Sequence, residues 1–296
     1  MLGAYHWHML RRTFLALAVP PKPLLIDTHI HLFAADTKKF PLHPQATYKP
    51  EPSTLENYIA FVKQAKIDHA IVVHPEPYQD DHSYLEYCFA NEPSKDFFKG
   101  TCLLDCYRPD TPARIDQLTK RWPKRIKALR IHRVTKDPLT TGSIRERPLD
   151  SPEMRKTWRA VADRGLLVQM HFIPMHAKSI HQLAAEFKGT KVILDHLGRN
   201  NQGTDAEWQD VLALAKLPNT IMKFSGLDYS PKQLAARVKQ VFESFGPDRI
   251  IWGGLGMDLP AFRKAQQQLN QLFAFATESD RIKIRGLNAK SLYGWS

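Results

Sequence analysis

The chain has 296 residues, 43% hydrophobic and 24% charged, enough for one large globular domain with a substantial core. No apolar run approaches the ~20 residues needed to span a bilayer, and three cysteines (Cys88, Cys102, Cys106) are too few and odd in number for a disulfide framework. The formal charge of +12 raises a nucleic-acid partner, but the basic residues are mostly interleaved with acids and apolar positions.

The densest basic run, Arg114 to Arg133, reads as a helix followed by a strand, so a solvated helix face accounts for most of it. No zinc finger, basic zipper or aromatic-interleaved RNA motif is present, and no nucleic-acid partner is expected. A basic surface also steers small anionic substrates.

In chain order, residues 1–23 read as a tail. Within it Arg11-Arg12, a short apolar run and Ala16-Leu-Ala18 sketch a twin-arginine export signal. A cytoplasmic location is the default and export the alternative. Residues 24–296 form the folded unit. Leu24-Leu-Ile-Asp-Thr-His-Ile-His31 is a short apolar run ending in two histidines, which reads as a buried strand. Ala34 to Pro52, rich in proline and histidine, is a long loop.

Further strands are predicted at His69–His74, Phe98–Asp105, Lys127–His132, Leu166–Phe172, Lys191–His196, Thr220–Ser225 and Arg249–Gly253. Helical patterns separate most of them. Ser53-Thr54 opens Leu55 to Lys66, and Asp150-Ser-Pro-Glu153 opens Met154 to Arg164 with Gly165 at the exit. Ala177 to Phe187, Asp205 to Leu217 and Pro231 to Phe245 follow at helical spacing. Eight strands alternating with helices predict a single-domain (β/α)8 TIM barrel. A doubly wound open sheet is the runner-up, but its Gly-x-Gly-x-x-Gly turn is missing after the first strand.

Polar residues at the carboxyl ends of barrel strands read as a site. Here stand His29 and His31, His74 and Glu76, Asp105, Arg130 and His132, His171, and Asp195-His196. One such histidine is more often a rim residue than a ligand, but five of eight strands end this way. His29 and His31, two apart, share a strand face, where imidazoles share a divalent metal or flank one substrate. Arg130 offers two prongs to a substrate carboxylate, or forms a salt bridge inside the barrel. Arg199, just past strand six, joins His74, Arg130 and His132 as candidate substrate contacts.

Ile26-Asp-Thr-His-Ile-His31, His171, Val192-Ile-Leu-Asp-His-Leu-Gly198, Arg249-Ile-Ile-Trp-Gly253 and Gly286-Leu-Asn-Ala-Lys-Ser-Leu-Tyr-Gly294 together resemble the amidohydrolase superfamily. Within it they are most similar to the branch of pyrone-dicarboxylate lactonase, sugar lactonases and aminocarboxymuconate-semialdehyde decarboxylase. The resemblance covers Leu24 to the C-terminus. It implies a hydrolase opening a lactone or related anionic carbonyl compound by water attack at the barrel mouth. It also implies His29, His31 and His171 as ligands of one divalent metal (zinc), with metal-free operation as the alternative. By the same resemblance, His196 and His171 are catalytic, His196 as proton carrier or hydrogen-bond donor. A metal-dependent decarboxylase and a non-catalytic small-anion-binding barrel are the competing readings. An oligomer is compatible with all three.

The chain departs from the family where a strand-eight aspartate is expected. After Trp252-Gly253 it reads Gly254-Leu-Gly-Met-Asp-Leu-Pro260. Without a gap, Leu255 takes the aspartate position. With three extra residues, Asp258 does, and Asp258 is the candidate base or ligand.

Overall fold

The computed structural model describes residues 23–136, 147–225, 231–255 and 258–296. The expectations for the N-terminal tail lie outside these. Strands β1 (Ile26–Ile30), β2 (His69–Val73), β3 (Phe98–Leu103), β4 (Ile126–Arg133), β5 (Leu167–Phe172), β6 (Val192–Leu194), β7 (Thr220–Ser225) and β8 (Ile250–Gly253) form one parallel sheet in sequential order. Each strand is followed by a helix: α1 (Leu55–Ala65), α2 (Ser83–Ala90), α3 (Thr111–Arg121), α4 (Pro152–Asp163), α5 (Ala177–Glu186), α6 (Asp205–Ala213), α7 (Pro231–Phe245) and α8 (Leu259–Leu272). Short helices α9 (Glu278–Ile282) and α10 (Asn288–Tyr293) end the chain. This is the expected (β/α)8 barrel.

Helix starts follow local chemistry. Thr54 Oγ1 accepts from the Asn57 N–H and Ser151 Oγ from Met154, while Thr204 and Glu207 form a reciprocal capping box. Three members of the basic run are paired with acids: Arg114 with Asp80, Arg121 with Glu86 and Arg125 with Glu92. Among the described residues no helix is long and apolar enough to cross a membrane.

The barrel closes where β8 meets β1. Thr28 Oγ1 donates to the Trp252 carbonyl at 2.7 Å, and the Leu255 N–H donates to the His29 carbonyl at 3.2 Å. This approach requires glycine: a Cβ on Gly253 would stand 2.5 Å from the His29 Cβ.

The barrel interior is layered. Its lower layer is aliphatic, with Ile26, Ile71, Ala128, Ile193, Ile221 and Ile251 sealed from below by Tyr293 and Trp295. Above it lies a buried polar layer of Thr28, Thr101, Arg130, Gln169, Asp195 and Lys223. The switch in composition places the chemistry at the carboxyl ends of the strands.

Candidate active site

Two features of the backbone aim the histidines. In β1 the pairing runs Asp27 to Ala70 and then Ile30 to Val72, so β1 carries one extra residue there. Strict alternation would put Ile26 and His29 on opposite faces; the bulge lets Ile26 join the inner aliphatic layer while His29 still reaches the histidine cluster. The bulge also turns Asp27 Oδ1 onto the N–H groups of His29 and Gly254, at 3.0 and 2.8 Å. After β6, His196, Leu197, Gly198 and Arg199 all adopt left-handed φ between 49° and 61°. Such a run is costly for L-residues and persists only where the surroundings enforce it. It delivers His196 and Arg199 from one turn.

The result is a continuous row of imidazoles. Ring centroids are 4.9 Å apart for His31 and His29, 4.6 Å for His29 and His196, 5.2 Å for His196 and His171, and 5.0 Å for His171 and His132. His132 and His171 are register partners on β4 and β5, as are Arg130 and Gln169 beneath them. His196 Nδ1 shares a 2.5 Å hydrogen bond with Ser225 Oγ. Burial, reinforced by neighbouring cations, holds all five rings below the ordinary histidine range, His31 and His196 at about 3. They are neutral bases offering lone pairs.

Beneath the row, Asp195 is fully buried and multiply engaged. Its Oδ2 accepts from Gln169 Nε2 at 2.9 Å and Arg130 Nε at 3.3 Å; its Oδ1 lies 3.2 Å from Lys223 Nζ. Burial pushes this carboxyl up, but Lys223 and Arg130 more than offset it and hold it below the usual carboxylate range. Lys223, also fully buried, donates to the Thr28 carbonyl at 3.0 Å; burial lowers its ammonium and Asp195 opposes that. Asp27 moves the other way, to about 7, because burial outweighs its two N–H donors and Lys223.

The donor set suits a divalent ion. His31 Nδ1 donates to the Val73 carbonyl at 2.7 Å, which leaves its Nε2 lone pair facing His29 Nε2 at 3.2 Å. Two nitrogens on a tetrahedral zinc at 2.0–2.1 Å are about 3.3 Å apart. His29 Nδ1 faces Asp195 Oδ1 at 3.9 Å, the carboxylate-behind-histidine arrangement of metal sites. His29, Asp195 and His196 also offer ligand atoms within 4.8 Å of one another. Among the described residues, both ring nitrogens of His171, Nε2 of His132, Nδ1 of His29 and Oδ1 of Asp195 are buried without a hydrogen-bond partner. Buried orphans gathered at one place ask for a ligand.

The structure thus brings together His29, His31, His171, His196, His132 and Arg130. Arg130 takes the salt bridge inside the barrel, to Asp195. Arg199 is half-buried, and its charge bears on His132, His171 and His196. His74 is turned to other work: its Nε2 donates to the Gln79 carbonyl at 2.9 Å and its ring stacks on His82 at 4.3 Å. Asp258 stands apart from the cluster. It is exposed, and its Oδ1 accepts from the Ala261 N–H at 2.8 Å as the cap of α8. The left-handed Leu255, φ 55°, spends its N–H on His29 instead of supplying a carboxylate.

Sequence reasoning missed Lys223, Gln169 and Ser225, and gave Asp195 no role. Lys223 and Gln169 carried a signal, a polar residue inside an otherwise apolar strand. Tyr48 was missed as well: the 34–52 loop is pinned by Thr47 to Glu76, which brings Tyr48 within the field of Arg130.

Comparison with known proteins agrees with the barrel fold and gives the family. The amidohydrolase family profile matches residues 26–295. A 4-sulfomuconolactone hydrolase of Rhizobium radiobacter is 24% identical over 235 residues, 77% of this chain and 73% of that protein. Among solved structures, a probable 2-pyrone-4,6-dicarboxylic acid hydrolase from Acinetobacter baumannii with citric acid bound superposes with a TM-score of 0.73. It is 20% identical and covers 92% of this chain and 99% of its own. An amidohydrolase from Burkholderia multivorans with bound zinc gives a TM-score of 0.68 at 15% identity, covering 91% of this chain and 99% of its own.

Proposed function

Because the chain belongs to the amidohydrolase family, we propose that it hydrolyses a lactone carrying an anionic group, at the carboxyl-end mouth of its barrel. The observation that carries this reading is the row of five neutral imidazoles with Arg130 and Arg199 beside it. Neutral bases next to fixed cations receive an anionic carbonyl compound and move protons around it. Relatives named for sulfomuconolactone and pyrone-dicarboxylate hydrolysis support the substrate class.

A divalent ion held by His29 and His31 would supply Lewis acidity, polarising the scissile carbonyl and making water acidic enough to attack at neutral pH. The chain's own residues do the rest. Arg199 offers a forked guanidinium to the substrate's carboxylate or sulfonate. His196, steadied by Ser225, accepts the proton released as the water oxygen bonds to the acyl carbon. It returns that proton to the ring oxygen as the acyl–oxygen bond breaks. His171 and His132 stand at the other end of the row and, as neutral imidazoles, each offer a ring N–H to the substrate's polar groups. Asp258 has no part in this scheme. The free, buried cysteines Cys88, Cys102 and Cys106 support a reducing, cytoplasmic setting.

The test is turnover of a lactone panel, with and without a carboxylate or sulfonate, by zinc-supplied protein. Acid release from an anionic lactone that disappears in His196→Ala supports the reading. A folded, zinc-supplied protein that opens no lactone overturns it.

A further inference from the structure

His29 stands between two places for a cation. Asp195 faces its Nδ1, and His29, Asp195 and His196 are by donor identity alone an acceptable metal site. On its Nε2 side lies His31. The two sides differ in what already occupies them.

Asp195 is engaged on both oxygens, Oδ2 by hydrogen bonds from Gln169 and Arg130 and Oδ1 by an ion pair with Lys223 Nζ at 3.2 Å that is not a hydrogen bond. Lys223 has no solvent exposure, and its hydrogen bond to the Thr28 carbonyl at 3.0 Å fixes its ammonium in place. A divalent ion on Asp195 would therefore sit beside a fixed like charge, in an interior that screens poorly. Among the described residues no ion pair is made on the His31 side, although the charge of Arg130 bears on that ring. There both imidazoles present Nε2, each with something behind it: the Val73 carbonyl behind His31 and Asp195 behind His29.

We propose that Lys223 is a resident cation that reserves Asp195, so that a divalent ion is held at the Nε2 edge shared by His29 and His31. Asp195 is then a positioning residue that orients His29, and Lys223 keeps it from becoming a ligand. The inference rests on the metal-site reading and not on the choice of substrate, so its test uses no substrate.

The full-length protein is stripped with a chelator and titrated with zinc chloride alone, wild type beside Lys223→Met. Losing the ammonium removes a buried like charge and frees the carboxylate, and zinc binding tightens by about tenfold or more. A merely structural lysine would give looser binding or no change when lost, so unchanged or weaker binding by the folded variant overturns the proposal. Should Lys223→Met fail to fold, Lys223→Gln, which keeps a donor for Thr28, carries the same titration. A zinc-soaked wild-type crystal gives an independent readout. Zinc on the two Nε2 atoms with Lys223 still on Asp195 supports the proposal, and zinc bonded to Asp195 with the ammonium displaced overturns it.

Discussion

His29 and His31 meet nitrogen to nitrogen, their Nε2 atoms 3.2 Å apart, each ring backed on its other side by an oxygen, of Asp195 and Val73 respectively. The contact depends on the extra residue in β1 and on the glycine that lets β8 approach. If this edge is the metal site, His31→Ala removes half of it while the barrel stands. Elemental analysis after dialysis should show zinc falling from about one ion per wild-type chain to a small fraction in the variant. Equal zinc in both proteins would remove His31 from the ligand set.

Asp258 caps α8 from an exposed position, so its removal should be felt by the helix and not by the reaction. Asp258→Ala should cost about 1 kcal/mol of stability, the usual worth of an N-cap, with kcat within about twofold of wild type. Thermal unfolding and steady-state kinetics on the same preparation check both halves. Loss of turnover at an unchanged melting temperature would restore Asp258 to the chemistry.

What the sequence made legible is what local patterning encodes. Strand runs, helix caps at Thr54 and Ser151, and the strand-end histidines all depend on neighbours a few residues away. The polar layer does not. Lys223 meets Thr28 across 195 positions and Gln169 meets Asp195 across 26, so each reads alone as a polar residue in an apolar strand. Only barrel closure shows that they complete one network. His74 shows the converse: it ends a strand as His171 does, but the turn from Glu76 to Tyr78 supplies an acceptor in the Gln79 carbonyl and turns the ring aside. A three-residue shift in a loop is invisible to motif spacing, so the helix-capping hydrogen bond of Asp258 from the Ala261 N–H could not be read from the sequence.

Arg199 separates substrate binding from catalysis. It stands on the left-handed turn three residues after His196, half-buried, with its charge directed over the histidine row. Arg199→Gln should raise KM for an anionic lactone by roughly tenfold or more, the worth of a hydrogen bond to a charged group. KM for an uncharged lactone should stay as it was, and kcat for both should change little. An equal rise for charged and uncharged substrates would mean that Arg199 supports the turn and does not read the anion.

His82 gives the fold a measurable acid sensitivity away from the imidazole row. Its Nε2 accepts from the Leu103 N–H at 3.2 Å, and burial together with the charge of Arg114 holds it at about 4. An unfolded histidine titrates near 6.5. Between these values the unfolded chain binds a proton that the native one does not, so stability increases with pH. The contribution is fully present above about 6.5 and is lost as pH falls toward 4. His82→Gln keeps an acceptor for Leu103 and cannot be protonated. Urea unfolding at pH 5 and pH 7 should therefore show a smaller loss of stability on acidification in the variant, by up to about 2 kcal/mol, with about one fewer proton taken up on unfolding near pH 5. The other depressed histidines act in the same direction and Asp27, raised to about 7, in the opposite one; apart from His74, whose depression His82 itself reinforces, they are common to the two proteins. Superimposable pH profiles would show that His82 titrates normally in the native state and is not held neutral by its burial.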